Sequence, residues 1–144
     1  MKRIIVLIYL LIAILSFSSC SPNPGITKNA IVVLGDSQKF TKKDVKAAAD
    51  CIMKKFKDFD GCNLKKLWYD EEYSNMHVGD YMLYGRGAVN GIDEGNVIAL
   101  LSDFYVDKTG GDGGFNPDSD YTNWNWVLIR ENKTAKWRVE EWGY

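Results

Sequence analysis

Tyr121-Thr122-Asn123-Trp124-Asn125-Trp126-Val127-Leu128-Ile129-Arg130 runs through the polar segment Glu131-Asn132-Lys133-Thr134-Ala135 into Lys136-Trp137-Arg138-Val139-Glu140-Glu141-Trp142-Gly143-Tyr144. These two runs hold four of the five tryptophans of the chain. Both alternate apolar with polar residues, the period of half-buried strands. The short polar link between them predicts an antiparallel hairpin whose aromatics anchor a core. Alternation places Trp124, Trp126 and Leu128 on one face. In the last strand Trp137 and Val139 keep phase, and the pair Glu140-Glu141 sets Trp142 out of phase, which predicts a bulge. Beyond it Trp142 and Tyr144 are expected to face differently from Trp137, as exposed aromatics that the core needs least.

Upstream, Val97 to Val106 reads as a long strand. Its even positions Ile98, Leu100, Phe104 and Val106 are the more apolar set, and both faces are expected to be partly covered. The first helix opens at Thr41, an N-cap with Asp44 in the role of the capping-box acid. Val45, Ala48, Ala49, Ile52, Met53, Phe56 and Phe59 then recur at helical period. The lysines on its other side read as a solvated face. Gly61 closes the helix. Leu64 to Tyr69 reads as a strand, residues 72–84 as a shorter helix, and Ala30 to Leu34 as an extended segment. The stretch from Asp107 to Asp120 reads as a polar loop. Its Asn116-Pro117-Asp118-Ser119-Asp120 has the start of a calcium loop, but Tyr121 and Val127 stand where the turn glycine and the bidentate acid belong. No metal or cofactor site is expected.

The N-terminus reads as an address. Met1-Lys2-Arg3 is basic, Ile4 to Leu15 is an unbroken apolar run, and small residues follow. This is the build of an export signal, and the run is shorter than the roughly 20 residues that span a bilayer. Phe17-Ser18-Ser19-Cys20 resembles the lipobox of bacterial lipoproteins, with Phe17 where that family usually has Leu. The resemblance implies lipidation of Cys20 and export to the cell membrane, with the membrane as a partner through the anchor. The organisation expected is a signal peptide over 1–19, a tether and extended segment over 20–39, with Ser21 to Gly25 flexible, and a single α+β domain over 40–144.

Removal of Lys2 and Arg3 takes the formal charge from −1 to −3. The chain has no basic patch of the kind that binds nucleic acid. Cys51 and Cys62 are then the remaining cysteines. In an exported protein they read either as a disulfide or as two buried thiols.

Helices followed by long antiparallel strands define an α+β fold, with the helices packed on a curved antiparallel sheet of about four strands. The order is similar to that of the cone-shaped fold of nuclear transport factor 2, ketosteroid isomerase and the SnoaL-like cyclases. It is also similar to small exported lipoproteins on that fold in which Trp-x-Trp and a terminal Trp-Gly-Tyr recur, here Trp124-Asn125-Trp126 and Trp142-Gly143-Tyr144. Gly35-Asp36-Ser37 has the look of a hydrolase nucleophile block. It lacks the downstream Asp-x-x-His, because Ser74 stands three residues before the only histidine, His77.

Three functions follow as expectations. The first is a binding module for a small ligand or an exported protein, with Trp68, Trp124 and Trp126 lining a pocket. The second, implied by the isomerase resemblance, is an enzyme in which Asp103 is the base, Tyr105 its oxyanion partner and His77 an assistant. The third is a partner in an exported complex without a ligand of its own.

Overall fold

The structure, a computed structural model, describes residues 23–111 and 113–144. The expected export signal and Cys20 lie outside the described residues. The elements are β1 (Ile31–Val33), α1 (Lys42–Lys55), β2 (Cys62–Trp68), α2 (Glu71–Leu83), a short α3 (Gly87–Asn90), β3 (Val97–Val106), β4 (Ser119–Ile129) and β5 (Arg138–Gly143). The strands form one sheet in the order β1-β2-β3-β4-β5. The fold is α+β, as expected. The sheet has five strands rather than about four, and it is mixed rather than antiparallel, because β1 runs parallel to β2.

Both faces of the sheet are covered. Val45, Ala48, Ala49 and Ile52 of α1 pack with Leu64, Leu67, Leu100, Phe104, Trp126 and Leu128 on one face. Val78 and Tyr81 of α2 pack with Val97, Ala99, Val127 and Ile129 on the other. The capping box forms as the sequence predicts: Thr41 Oγ1 accepts from the Asp44 amide at 3.1 Å, and Asp44 Oδ2 accepts from the Thr41 amide at 3.1 Å. Gly61 takes φ +67°, the left-handed turn that returns the chain from α1 into β2.

The expected bulge is present in β5, between the pairs Val127↔Glu141 and Leu128↔Val139. Its consequence is the reverse of the one expected. Val139 and Trp142 are three residues apart and would face opposite ways in a regular strand. The extra residue restores their phase, so Trp142 pairs with Trp126 and its ring reaches Phe59 at 6.2 Å on the α1 face.

The expected flexible tether is a second correction. From Asn23 onward the chain is fixed to the domain. The Asn23 carbonyl accepts from the Gly61 amide at 2.7 Å, the Gly25 amide donates to Lys57 at 3.1 Å, and Ile26 exchanges bonds with Cys62 and Leu64, each at 2.9 Å. Gly25 is required there, since a Cβ would stand 2.0 Å from the Phe56 carbonyl oxygen.

Candidate functional site

A groove lies between the flank of α1 and the β4–β5 connection. Its volume is about 770 Å³. The helix supplies Lys43, Asp44, Ala47, Asp50, Cys51 and Lys54, and the connection supplies Arg130 and residues 133–137. Five cations (Lys43, Lys54, Arg130, Lys133, Lys136) meet two carboxylates (Asp44, Asp50), a local excess of three positive charges in a chain whose formal charge is −1. Asp50 is already engaged by Lys46 at 2.7 Å, and Asp44 by Arg130 at 2.6 Å. Among the described residues, no ion pair holds Lys43, Lys54, Lys133 or Lys136. Ala47, Ala135 and Trp137 give the groove an apolar floor.

Arg130 is the centre of this arrangement. It follows four buried strand residues, so its side chain starts inside the body and is only 6 % exposed. Its guanidinium lies 4.3 Å from the Trp137 ring centroid, a cation–π contact, while Nη1 donates to Asp44. Nε is buried and has no protein partner. A buried donor left unpaired costs about 1–3 kcal/mol. Burial pushes the Asp44 carboxyl up, but hydrogen bonds from Thr41 and Arg130 outweigh it, and the group ends below the ordinary carboxylate range. The pair therefore stays ionised. Beside it the Cys51 thiol donates to the Trp137 carbonyl at 3.3 Å, and burial pushes its pKa up. A thiol held protonated is a packing group rather than a nucleophile.

The residues singled out from the sequence are placed elsewhere, and they are dispersed. Asp103 and Tyr105 share a face of β3, but each serves the fold. Asp103 Oδ1 accepts from the Asn123 amide at 2.9 Å and holds the β4 bulge in which Asn123 has φ +54°. Tyr105 donates to Asp118, and that bond, with burial and the charges of Asp107 and Asp120, pushes its phenol pKa up. His77 packs at a tilt against Tyr73 with centroids 4.7 Å apart; its Nε2 is buried without a partner among the described residues, and burial lowers its pKa despite the nearby Asp80.

The three tryptophans expected to line one pocket do not converge. Trp126 is fully buried, with Nε1 donating to Ser102 at 2.8 Å. Trp124 is on the same face, packed among Phe104, Phe115, Tyr121 and Tyr144. Trp68 pairs with Leu101 while its neighbour Leu67 pairs with Ser102, so Trp68 is on the opposite face, under Lys66. Trp142 and Tyr144 are exposed, at 44 and 80 %. No disulfide joins Cys51 to Cys62: their thiols donate to Trp137 and Asp60, different backbone carbonyls.

Sequence reasoning missed the groove. A charged residue closing the apolar run Trp126 to Ile129, followed by Lys133 and Lys136 in the turn, was the available signal. Comparison of the chain with known protein families, with curated proteins and with solved structures finds no match in any of the three. Among the described residues no helix is long and apolar enough to cross a membrane.

Proposed function

We propose that the chain is an exported domain, anchored to the cell membrane through lipidated Cys20, that binds a small anionic ligand with an apolar body in the groove between α1 and the β4–β5 connection. The observation that carries the binding reading is the buried Arg130, whose Nε has no partner among the described residues, beside four lysines that no described carboxylate pairs. A carboxylate or phosphate-like group answers the cations, and the Trp137 side of the groove takes the apolar part. The anchor reading rests on the apolar run Ile4 to Leu15 and the lipobox-like Phe17 to Cys20. A nuclear transport factor 2-like reading is supported by the order of α1 before the long antiparallel strands. The groove, however, lies on the flank of α1 and not inside a cone, and Asp103, Tyr105 and His77 do not supply an isomerase-like set there.

The probe for the groove is 8-anilinonaphthalene-1-sulfonate, an anion on an aromatic body. The chain is expected to bind it saturably, and the charge-reversed pair Lys54→Glu/Lys136→Glu to bind about tenfold more weakly, equivalent to about 1.4 kcal/mol. Equal affinity in the two chains sinks the groove. The anchor is tested separately: Cys20→Ala is expected to move the full-length chain from the membrane to the soluble fraction, and a variant that stays on the membrane removes the anchor reading.

A further inference from the structure

We infer that the β1 edge of the domain lies on the membrane surface, with the aliphatic row Ile26, Ile31, Val32 and Val33 and the ring of Trp68 seated in the lipid headgroup layer. The inference rests on the proposed anchor at Cys20 and adds to it an orientation.

The argument begins with the length of chain outside the structure. The anchor would be at residue 20, and the body begins at Asn23, whose carbonyl is held by Gly61 and whose amide side chain donates to Asp107 at 3.2 Å. Three residues span at most about 11 Å. No long linker lets the domain stand away from the bilayer, so the surface that begins at Asn23 is held within about 11 Å of it.

That surface has the composition of an interfacial one. From Asn23 the chain runs along β2, with Ile26 beside Asn63 and Ile31 to Val33 beside Lys66 to Trp68. Ile31, Val32 and Val33 are 65, 38 and 44 % exposed, and Ile26 is half exposed. Among the described residues the outer side of β1 carries no further strand. An exposed apolar edge is a hazard in solution and is usually blunted by charge or covered. Here the cover would be lipid. Ile31 pairs with Lys66 and Val33 with Trp68, so these four share a face, and the Lys66 ammonium sits 4.4 Å from the Trp68 centroid. Aliphatics, a half-buried tryptophan and a lysine that can reach outward suit the boundary between headgroups and acyl chains.

The orientation also fits the groove. Arg130 and Trp137 flank the β4–β5 end of the sheet, three and four strand spacings from β1, or about 14 and 19 Å. With β1 on the membrane the groove stays open to solvent.

The test uses the full-length chain processed in a bacterial host, reconstituted in vesicles of phosphatidylethanolamine and phosphatidylglycerol that carry lipids brominated just below the headgroup. Tryptophan emission is expected to be quenched, and Trp68→Phe to remove at least half of the quenched signal. Ile31→Asp/Val33→Asp is expected to relieve quenching with the chain still acylated and vesicle-bound. Tyr84→Asp is the control, since it alters the exposed tip after α2, which Arg86 ties to Glu140 of β5 at the opposite edge; it is expected to change nothing. An acylated, sedimenting chain whose quenching is unaltered by Trp68→Phe overturns the docking and leaves the anchor. A mature chain without acyl groups that stays in the supernatant overturns the anchor and the docking together. A dimer in lipid-free solution that Ile31→Asp dissociates assigns the edge to a second copy, and retention of residues 4–15 over the edge assigns it to that segment; either result overturns the lipid.

Discussion

The two faces of the sheet are filled by different means. On the α1 face, Phe56 meets Phe104 with centroids 5.6 Å apart, Phe59 meets Trp126 at 5.1 Å, and Phe104 stacks on Tyr121 at 5.1 Å. On the α2 face the packed cluster is Val78, Val97, Ala99, Val127 and Ile129, with Tyr81 its one large ring. The first face gains its stability from large apolar areas, the second from close approach of small residues and a few polar bonds. The difference teaches where tolerance lies. The groove's lysines and the exposed edge of β1 lie outside both cores and can change without unpacking the sheet, whereas Trp137 on the groove's apolar side belongs to the α1-face core.

The largest expected effect sets the faces apart directly. Trp126→Ala is expected to lower the unfolding free energy by about 3–5 kcal/mol, because a fully buried indole leaves a cavity. Ile129→Ala, on the other face of the same strand, is expected to cost about 2 kcal/mol, the lower end for an aliphatic truncation. Urea unfolding of both variants measures the pair. Equal losses would break the comparison.

A second pair sharpens it. Each face has one buried serine that satisfies a buried N–H. Ser102 Oγ accepts from Trp126 Nε1 at 2.8 Å, and Ser74 Oγ accepts from the Ala99 amide at 3.1 Å. The second bond has a topological cause. β2 ends at Trp68, opposite Leu101, so the Ala99 amide has no strand beside it and α2 supplies the acceptor. Ser102→Ala and Ser74→Ala each leave a buried donor unpaired, at a cost of about 1–3 kcal/mol. The two losses are expected to be similar although the apolar losses differ. A much smaller loss for Ser74→Ala would mean that water replaces it and that the α2 face is wetter than the packing implies.

The same contrast explains what the sequence revealed. α1 was legible because its cap, its apolar stripe and its stop at Gly61 agree with one another. The β4–β5 hairpin was legible from strict alternation, and the bulge from the three-residue step between Val139 and Trp142. The direction of Trp142 after the bulge was misread because restoring phase and breaking it look alike until the register is known. The α2 face was hard to read: Tyr73, Met76, Val78, Tyr81 and Met82 all look apolar, yet only Val78 and Tyr81 of them are buried, and Ser74 is buried with them. β1 is three residues long, and its parallel pairing is a contact across more than thirty residues that no local pattern announces. The groove was illegible because it joins α1 to a turn far along the chain, and Arg130 acquires its meaning only beside Asp44 and Trp137.

The smallest expected effect is a pH dependence confined to the α2 face. His77 is the only histidine of the chain. Burial disfavours its charged form and outweighs the pull of Asp80, so its folded pKa lies below 6.5. Between the folded and unfolded values the unfolded chain binds more protons, and stability therefore rises with pH across that window. It is full above about 6.5 and declines as the pH falls through it. Asp44 and Glu71 are shifted below the ordinary carboxylate values of 3.8 and 4.5, so their contributions are lost only in stronger acid. His77→Phe keeps a ring against Tyr73 and removes the titration. Urea midpoints of the parent chain are expected to fall from pH 7.5 to 5.5, and those of His77→Phe to change less. Asp80→Asn removes the one opposing charge and is expected to make the parent slope steeper. A slope unchanged by His77→Phe would mean that the buried Nε2 is hydrated, and that the α2 face opens there to water.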